Sequence, residues 1–258
     1  LTRTAAGRRI GPAGWAVRPL HRPDARVTLI CFHAAGSGAA MYRRWPALLP
    51  ESVDPVLVRM PGRESRFGEP LIDDFTTAVA ALAAGLDGCF DRPYALFGHS
   101  MGAHLAFALA VERDVAGLRL PEHMFVSGTR PPHLFRPPFG SEPHSDEQLV
   151  AALAEMGGTD SLILSDREAR RIILAPFRAD LRICAGLRIA GRPLPCALSV
   201  FGGADDDISR ADLAEWSRWS TRSVTVTMFA GRHFFVNTES ESAVLHRIAQ
   251  TLVEPYGP

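Results

Sequence analysis

The chain has 258 residues, of which 47% are hydrophobic, enough to fill the core of one large α/β domain. Its 28 basic and 28 acidic side chains cancel, which argues against a nucleic-acid or membrane-surface partner. No stretch is long and apolar enough to cross a membrane, and Leu1 to Leu20 has no continuous apolar run of signal-peptide length.

Strand-like and helix-like runs alternate along the chain, the pattern of a mostly parallel sheet with helices on both faces. Trp15 to Leu20 is expected to add an antiparallel edge strand. Val27 to Phe32 follows as a near-continuous apolar strand, as when both sheet faces are covered. It runs into His33-Ala34-Ala35-Gly36-Ser37-Gly38, a loop of small residues whose backbone can approach a ligand. The spacing there matches neither a P-loop nor a dinucleotide fingerprint. Next come a strand over Pro55 to Met60, a helix over Phe75 to Leu86 and a strand over Tyr94 to Phe97.

Gly98-His99-Ser100-Met101-Gly102 links that strand to a helix over Met101 to Glu112. With 22 glycines in the chain a bare G-x-S-x-G can arise by chance. A strand before it and a helix after it make it a nucleophile elbow, a sharp turn that exposes the serine hydroxyl. The alternation breaks after the strand His123 to Ser127. Residues 129–195 hold no convincing strand: an opening rich in Pro and Arg precedes helical patterns over Ser145 to Met156 and Asp166 to about Leu187. Ser145 begins a capping box, and Ile172, Ile173, Phe177, Leu181 and Cys184 recur at helical spacing. This insertion is expected to be a helical lid within a single domain, residues 1–258. Strands over Ala197 to Phe201 and Val224 to Phe229 and helices over Ser209 to Trp219 and Ser240 to Leu252 complete the chain.

The four cysteines, Cys31, Cys89, Cys184 and Cys196, have neither C-x-x-C nor zinc-ligand spacing, so they are expected to be core residues in a reducing cytoplasm. No apolar seam is evident, and a monomer is expected.

A serine hydroxyl needs a base, and the base needs a carboxylate to fix its tautomer; in this fold type they follow in the order Ser, acid, His. His233, just after the last strand, is the candidate base, since His246 falls within the final helix. The acid should come from Asp205-Asp206-Asp207, in the loop after the preceding strand. Two of the three would then serve only to charge the N-terminus of the next helix, and composition does not choose among them. An oxyanion hole needs backbone N–H groups, one from Met101 and one from the loop that begins at His33.

With these residues assembled, the chain resembles the stand-alone type II thioesterases of polyketide and nonribosomal peptide synthases, which have the α/β hydrolase fold. The resemblance runs roughly from Thr28 to Leu252. It rests on His33-Ala34-Ala35-Gly36, Pro61-Gly62-Arg63-Glu64, the elbow, Ser127-Gly128 with Pro132-His133-Leu134, Arg178-Ala179-Asp180, Trp216 and Gly231-Arg232-His233-Phe234-Phe235. It implies a triad of Ser100, Asp206 and His233, with Asp206 chosen as the aspartate ten residues before Trp216. It places the oxyanion donors on Ala34 and Met101. Ala35 and Arg232 depart from the family, each standing where glycine is usual.

The implied reaction is hydrolysis of acyl groups from the phosphopantetheine arm of acyl or peptidyl carrier domains, clearing stalled or aberrant units with no metal or resident cofactor. Arg63, Arg66, Arg130, Arg136, Arg178 and Arg182 are candidate contacts for an acidic carrier, with Arg178 alternatively paired to Asp180. Competing expectations are a carboxylesterase or lipase using the same triad and a catalytically silent scaffold, which would not need all three residues.

Overall fold

The computed structural model describes residues 14–137, 144–156, 166–238 and 240–253. Seven strands pair in one sheet, in the order β1-β3-β2-β4-β5-β6-β7. They are β1 (Ala16–Val17), β2 (Val27–Phe32), β3 (Val53–Val58), β4 (Tyr94–His99), β5 (His123–Ser127), β6 (Ala197–Gly203) and β7 (Val224–Phe229). Only β1 is antiparallel, with Ala16 opposite Val58; all the other pairings are parallel. The helices are α1 (Trp45–Leu48), α2 (Phe75–Gly85), α3 (Met101–Val115), α4 (Asp146–Met156), α5 (Arg167–Ala185), α6 (Arg210–Ala214) and α7 (Glu241–Val253). Two apolar layers cover the sheet. One face packs on α2, α3 and α6 through Val79, Leu82, Leu105, Phe107 and Leu213. The other packs on α1 and α7 through Trp45, Val244 and Ile248.

The central strands are near-continuously apolar and buried on both sides, which suits parallel pairing, and helical crossovers supply the cover. All six positions of β2, β3 and β4 are buried. β3 starts and ends two residues earlier than the sequence reading of Pro55 to Met60. A proline was expected to open the strand, but β1 pairs only with Leu57 and Val58. The outer side of Pro55 is therefore unpaired, and its missing N–H costs no ladder bond. The helix expected over Ser209 to Trp219 is α-helical only through Ala214 and tightens to a 3₁₀ turn over Glu215–Trp219. Trp216 in that turn is fully buried and donates to Thr129 O at 3.0 Å.

The insertion between β5 and β6 carries α4 and α5. The Ser145 cap forms as read: Gln148 N donates to Ser145 Oγ and Ser145 N to Gln148 Oε1. Asp166 caps α5 by accepting from Ala169 N at 2.7 Å. Leu149, Leu153, Leu174 and Phe177 form a small core between the two helices. Ile172, expected on that apolar face, is instead exposed, and Leu174 takes the inward position. All four cysteines are buried and unpaired, and no described helix is long and apolar enough to cross a membrane.

Burial holds several histidines neutral. It pushes His33 and His123 down to about 4 and His104 to about 3, and it carries His99 well below the ordinary value. In the unfolded chain the same groups protonate near pH 6.5. Their folded pKa values are depressed, so the unfolded state binds more protons between about pH 6.5 and 4, and stability must fall as pH drops through that window. Urea denaturation should therefore show a steep loss of stability from pH 7 to pH 5, with uptake of about four protons on unfolding at pH 5. A midpoint independent of pH across that interval would contradict neutral burial of these rings.

Candidate active site

Ser100 sits between β4 and α3 with φ 54° and ψ −120°, one of only two non-glycine residues at positive φ among those described. Its N–H donates to Ser127 O at 2.8 Å, which ties the turn to β5. The turn is tight enough to exclude side chains on either side. A Cβ at Gly98 would lie 2.4 Å from Ala103 Cα, and one at Gly102 would lie 2.3 Å from Phe32 O. Glycine at both positions is thus a steric requirement. Ser100 occupies the N-cap of α3, so the Met101 N–H in the first turn has no intrahelical acceptor.

Asp206 and His233 come together from the loops after β6 and β7. His233 Nδ1 donates to Asp206 Oδ2 at 2.9 Å, which fixes the tautomer and leaves Nε2 as the acceptor. Burial works to raise the Asp206 carboxyl, but the bond and charge of His233 outweigh it and hold the group below the usual aspartate range. Its neighbours differ in kind. Asp205 is exposed and accepts from Gly231 N at 3.2 Å, while Asp207 is held above the usual range by its bond to Asp206. Of the three aspartates, only Asp206 is bonded to the histidine. Beneath His233 lies His99, 5.1 Å away between ring centroids and bonded to Ser127 Oγ.

Ala34, Ala35, Ser100, Met101 and His233 line one cavity, closed by Phe135, Phe177, Leu181, Cys184 and Phe234. The Ser100 hydroxyl makes no hydrogen bond among the described residues. Ala34 N–H has only the thioether of Met41 as acceptor, at 3.5 Å, and a thioether is a weak one. The cavity therefore gathers a serine hydroxyl, an oriented imidazole, an N–H without an intrahelical acceptor and another weakly held. Such a set can attack a carbonyl carbon and stabilise the charge that develops on its oxygen. Phe135, Phe177, Leu181 and Cys184 were not singled out as cavity walls. The helical spacing of the last three was legible, but which way that face would point was not.

The arginines behave differently from the expectation. Arg63 is only 6% exposed and Arg66 8%, so neither presents a surface to a partner. Arg63 is bound to Asp180, and Arg66 to Glu69. Arg178 pairs with Asp146 rather than Asp180, Arg182 with Asp73, and Arg130 with Asp212 and Asp207. Arg136 alone of the six is exposed without an ion pair to a described residue. Arg232 is exposed and Ala35 partly buried at the cavity.

The model of the thioesterase domain family matches residues 27–252. Linear gramicidin dehydrogenase LgrE of Brevibacillus parabrevis is 34% identical to the chain over 255 residues, covering 96% of this chain and 97% of LgrE. Gramicidin S biosynthesis protein GrsT of Aneurinibacillus migulanus is 30% identical, covering 86% and 88%. Among solved structures, the type II thioesterase BorB from the borrelidin biosynthetic cluster superposes with a TM-score of 0.81. It has 34% identity and covers 92% of this chain and 97% of its own.

Proposed function

Because this chain belongs to the thioesterase domain family, we propose that it hydrolyses acyl thioesters held on the phosphopantetheine arm of carrier domains, in the manner of a type II thioesterase. The observation that carries the reading is the convergence of Ala34, Ser100, Met101 and His233 on one cavity, with Asp206 bonded behind the histidine. Family membership supports thioester over oxygen-ester substrates. The name of LgrE points to another chemistry, but no dinucleotide fingerprint follows a strand in this sequence.

His233 Nε2 takes the proton as Ser100 Oγ attacks the thioester carbon. The carbonyl oxygen becomes an oxyanion between the N–H groups of Ala34 and Met101. Collapse of the intermediate breaks the carbon–sulfur bond, His233 gives its proton to the departing thiolate, and an acyl-Ser100 ester remains. Water, deprotonated by the same imidazole, attacks the ester and releases a carboxylic acid with Ser100 restored. Every proton passes through His233, so the chemistry requires no metal or resident cofactor. The substrate brings its own arm.

Ser100→Ala and His233→Ala should each lower kcat on the order of a millionfold in folded protein. Asp206→Asn should approach a ten-thousandfold loss by mis-setting the tautomer, with Asp205→Asn and Asp207→Asn mild. Substantial turnover by folded Ser100→Ala removes the mechanism, and a silent Ser100 toward a fluorophosphonate probe in the parent protein favours a scaffold.

An acyl group on a carrier domain should be hydrolysed with higher kcat/KM than the same acyl group on a small thiol. Since five of the six arginines considered above are bound to carboxylates, that preference should survive added salt rather than vanish by screening. Equal kcat/KM on both substrates, or faster turnover of simple oxygen esters, would replace the carrier thioesterase with a general esterase.

A further inference from the structure

Two sequence segments that the mechanism does not use meet inside the protein. Arg63, in Pro61-Gly62-Arg63-Glu64, forms a two-pronged ion pair with Asp180 of α5: Nη1 to Oδ2 at 2.8 Å and Nη2 to Oδ1 at 2.9 Å. Asp180 is completely buried and Arg63 nearly so. The pair does more than hold itself. Asp180 Oδ2 also accepts from Gly36 N at 2.8 Å, and Arg63 Nη1 donates to Ser37 O at 2.7 Å. Both of these backbone groups belong to the loop after β2 that carries Ala34.

The neighbouring contacts converge on the same loop. Glu64, the other non-glycine residue at positive φ, accepts from Ala40 N at 2.8 Å. One helical turn before Asp180, Phe177 packs so closely on Gly36 that a Cβ there would lie 2.9 Å from its ring. Phe177, Asp180, Leu181 and Cys184 share one face of α5 by the i, i+3, i+4, i+7 rule, and all but Asp180 line the cavity. The helix that walls the cavity thus also grips the loop that offers the Ala34 N–H.

We infer that Arg63 and Asp180 form a positioning pair that sets the Ala34 N–H against Ser100 by clamping the Gly36 to Ser37 backbone to α5. The assignment rests on the proposed reading of Ala34 as an oxyanion donor. A surface ion pair would not serve, because solvent would compete for both the loop and the helix. Burial leaves each charge only its partner and the loop's own amide and carbonyl to bind, so the loop geometry is fixed whenever the pair is intact.

Arg63→Met combined with Asp180→Leu tests this, since replacing both charges with apolar groups avoids the lone buried charge that either single change would leave. On an acyl thioester of a small thiol, the double variant should keep a thermal midpoint near that of the parent and a KM within about threefold. Its kcat should fall on the order of 100-fold, the scale on which small misplacements of a catalytic group are felt. The rate of fluorophosphonate labelling at Ser100 should fall in parallel, because phosphonylation draws on the same oxyanion donors.

Asp180→Asn, which keeps the shape and one acceptor, provides the second variant should the double change not fold. It should show the same split of lowered kcat and unchanged KM to a smaller degree. Parent-like kcat in a folded double variant or in Asp180→Asn overturns the positioning role and leaves the Ser100 mechanism standing. Failure of the probe to label Ser100 in the parent overturns the mechanism and this assignment together.

Discussion

Between β4 and α3 the backbone reverses in so little space that no Cβ fits at Gly98 or Gly102, and α3 runs directly against the carbonyl of Phe32 at the end of β2. Everything at the site follows from this crossing. It forces Ser100 into a left-handed conformation, at a cost of about 1–3 kcal/mol, and the surrounding sheet must hold it there. Ser127 O from β5 does so by accepting the Ser100 N–H. The same crossing brings the end of β2, and so the loop with Ala34, beside the first turn of α3. Serine, Met101 N–H and Ala34 N–H are neighbours because two backbones touch.

The six parallel strands supply the rest by placing their C-termini on one edge. Asp206 follows β6 and His233 follows β7, adjacent strands whose ends are in register at Gly203 and Phe229. Gly203 matters here for the same reason as the elbow glycines: a Cβ would lie 2.5 Å from Arg232 O. The His233 loop therefore packs onto the Asp206 loop, and their hydrogen bond forms where the sheet leaves no other room. Packing against the buried ring of His99 and the partly buried ring of Phe234 keeps the imidazole from turning away.

Arginine is the chain's sole long basic side chain, and at several described positions, Arg63, Arg66 and Arg113 buried among them, it braces the fold. Arg22 donates to the carbonyls of Pro46, Leu49, Pro50 and Val53, closing the end of α1. Arg113 lies over Phe90 at 3.9 Å and donates to the Tyr94 hydroxyl, and Arg66 lies over Trp15 at 4.5 Å while donating to Arg59 O. The planar guanidinium suits this work because it can stack, fork to a carboxylate and bond several carbonyls while remaining charged. A charge count cannot separate such residues from surface ones, which is why Arg63 and Arg66, read as partner contacts, are instead buried braces.

The order of elements, the elbow at Ser100 and the place of His233 after the last strand were legible in the sequence, because each depends on local rules: apolar periodicity, glycine where a Cβ cannot fit, and chain order around a parallel sheet. The cap at Ser145 was legible for the same reason. Choosing Asp206 over its neighbours needed tertiary structure or a family's spacing, since three adjacent aspartates differ only in which one the sheet aims at His233. The register of β3 depended on how far β1 reaches along it, a matter of pairing. The inward turn of Leu174 in place of Ile172, and the meeting of Arg63 with Asp180 across 117 residues of chain, were decided only when the insertion folded back over the loop after β2. Local sequence sets what each segment can do, but contacts between distant segments depend on which faces the whole fold brings together.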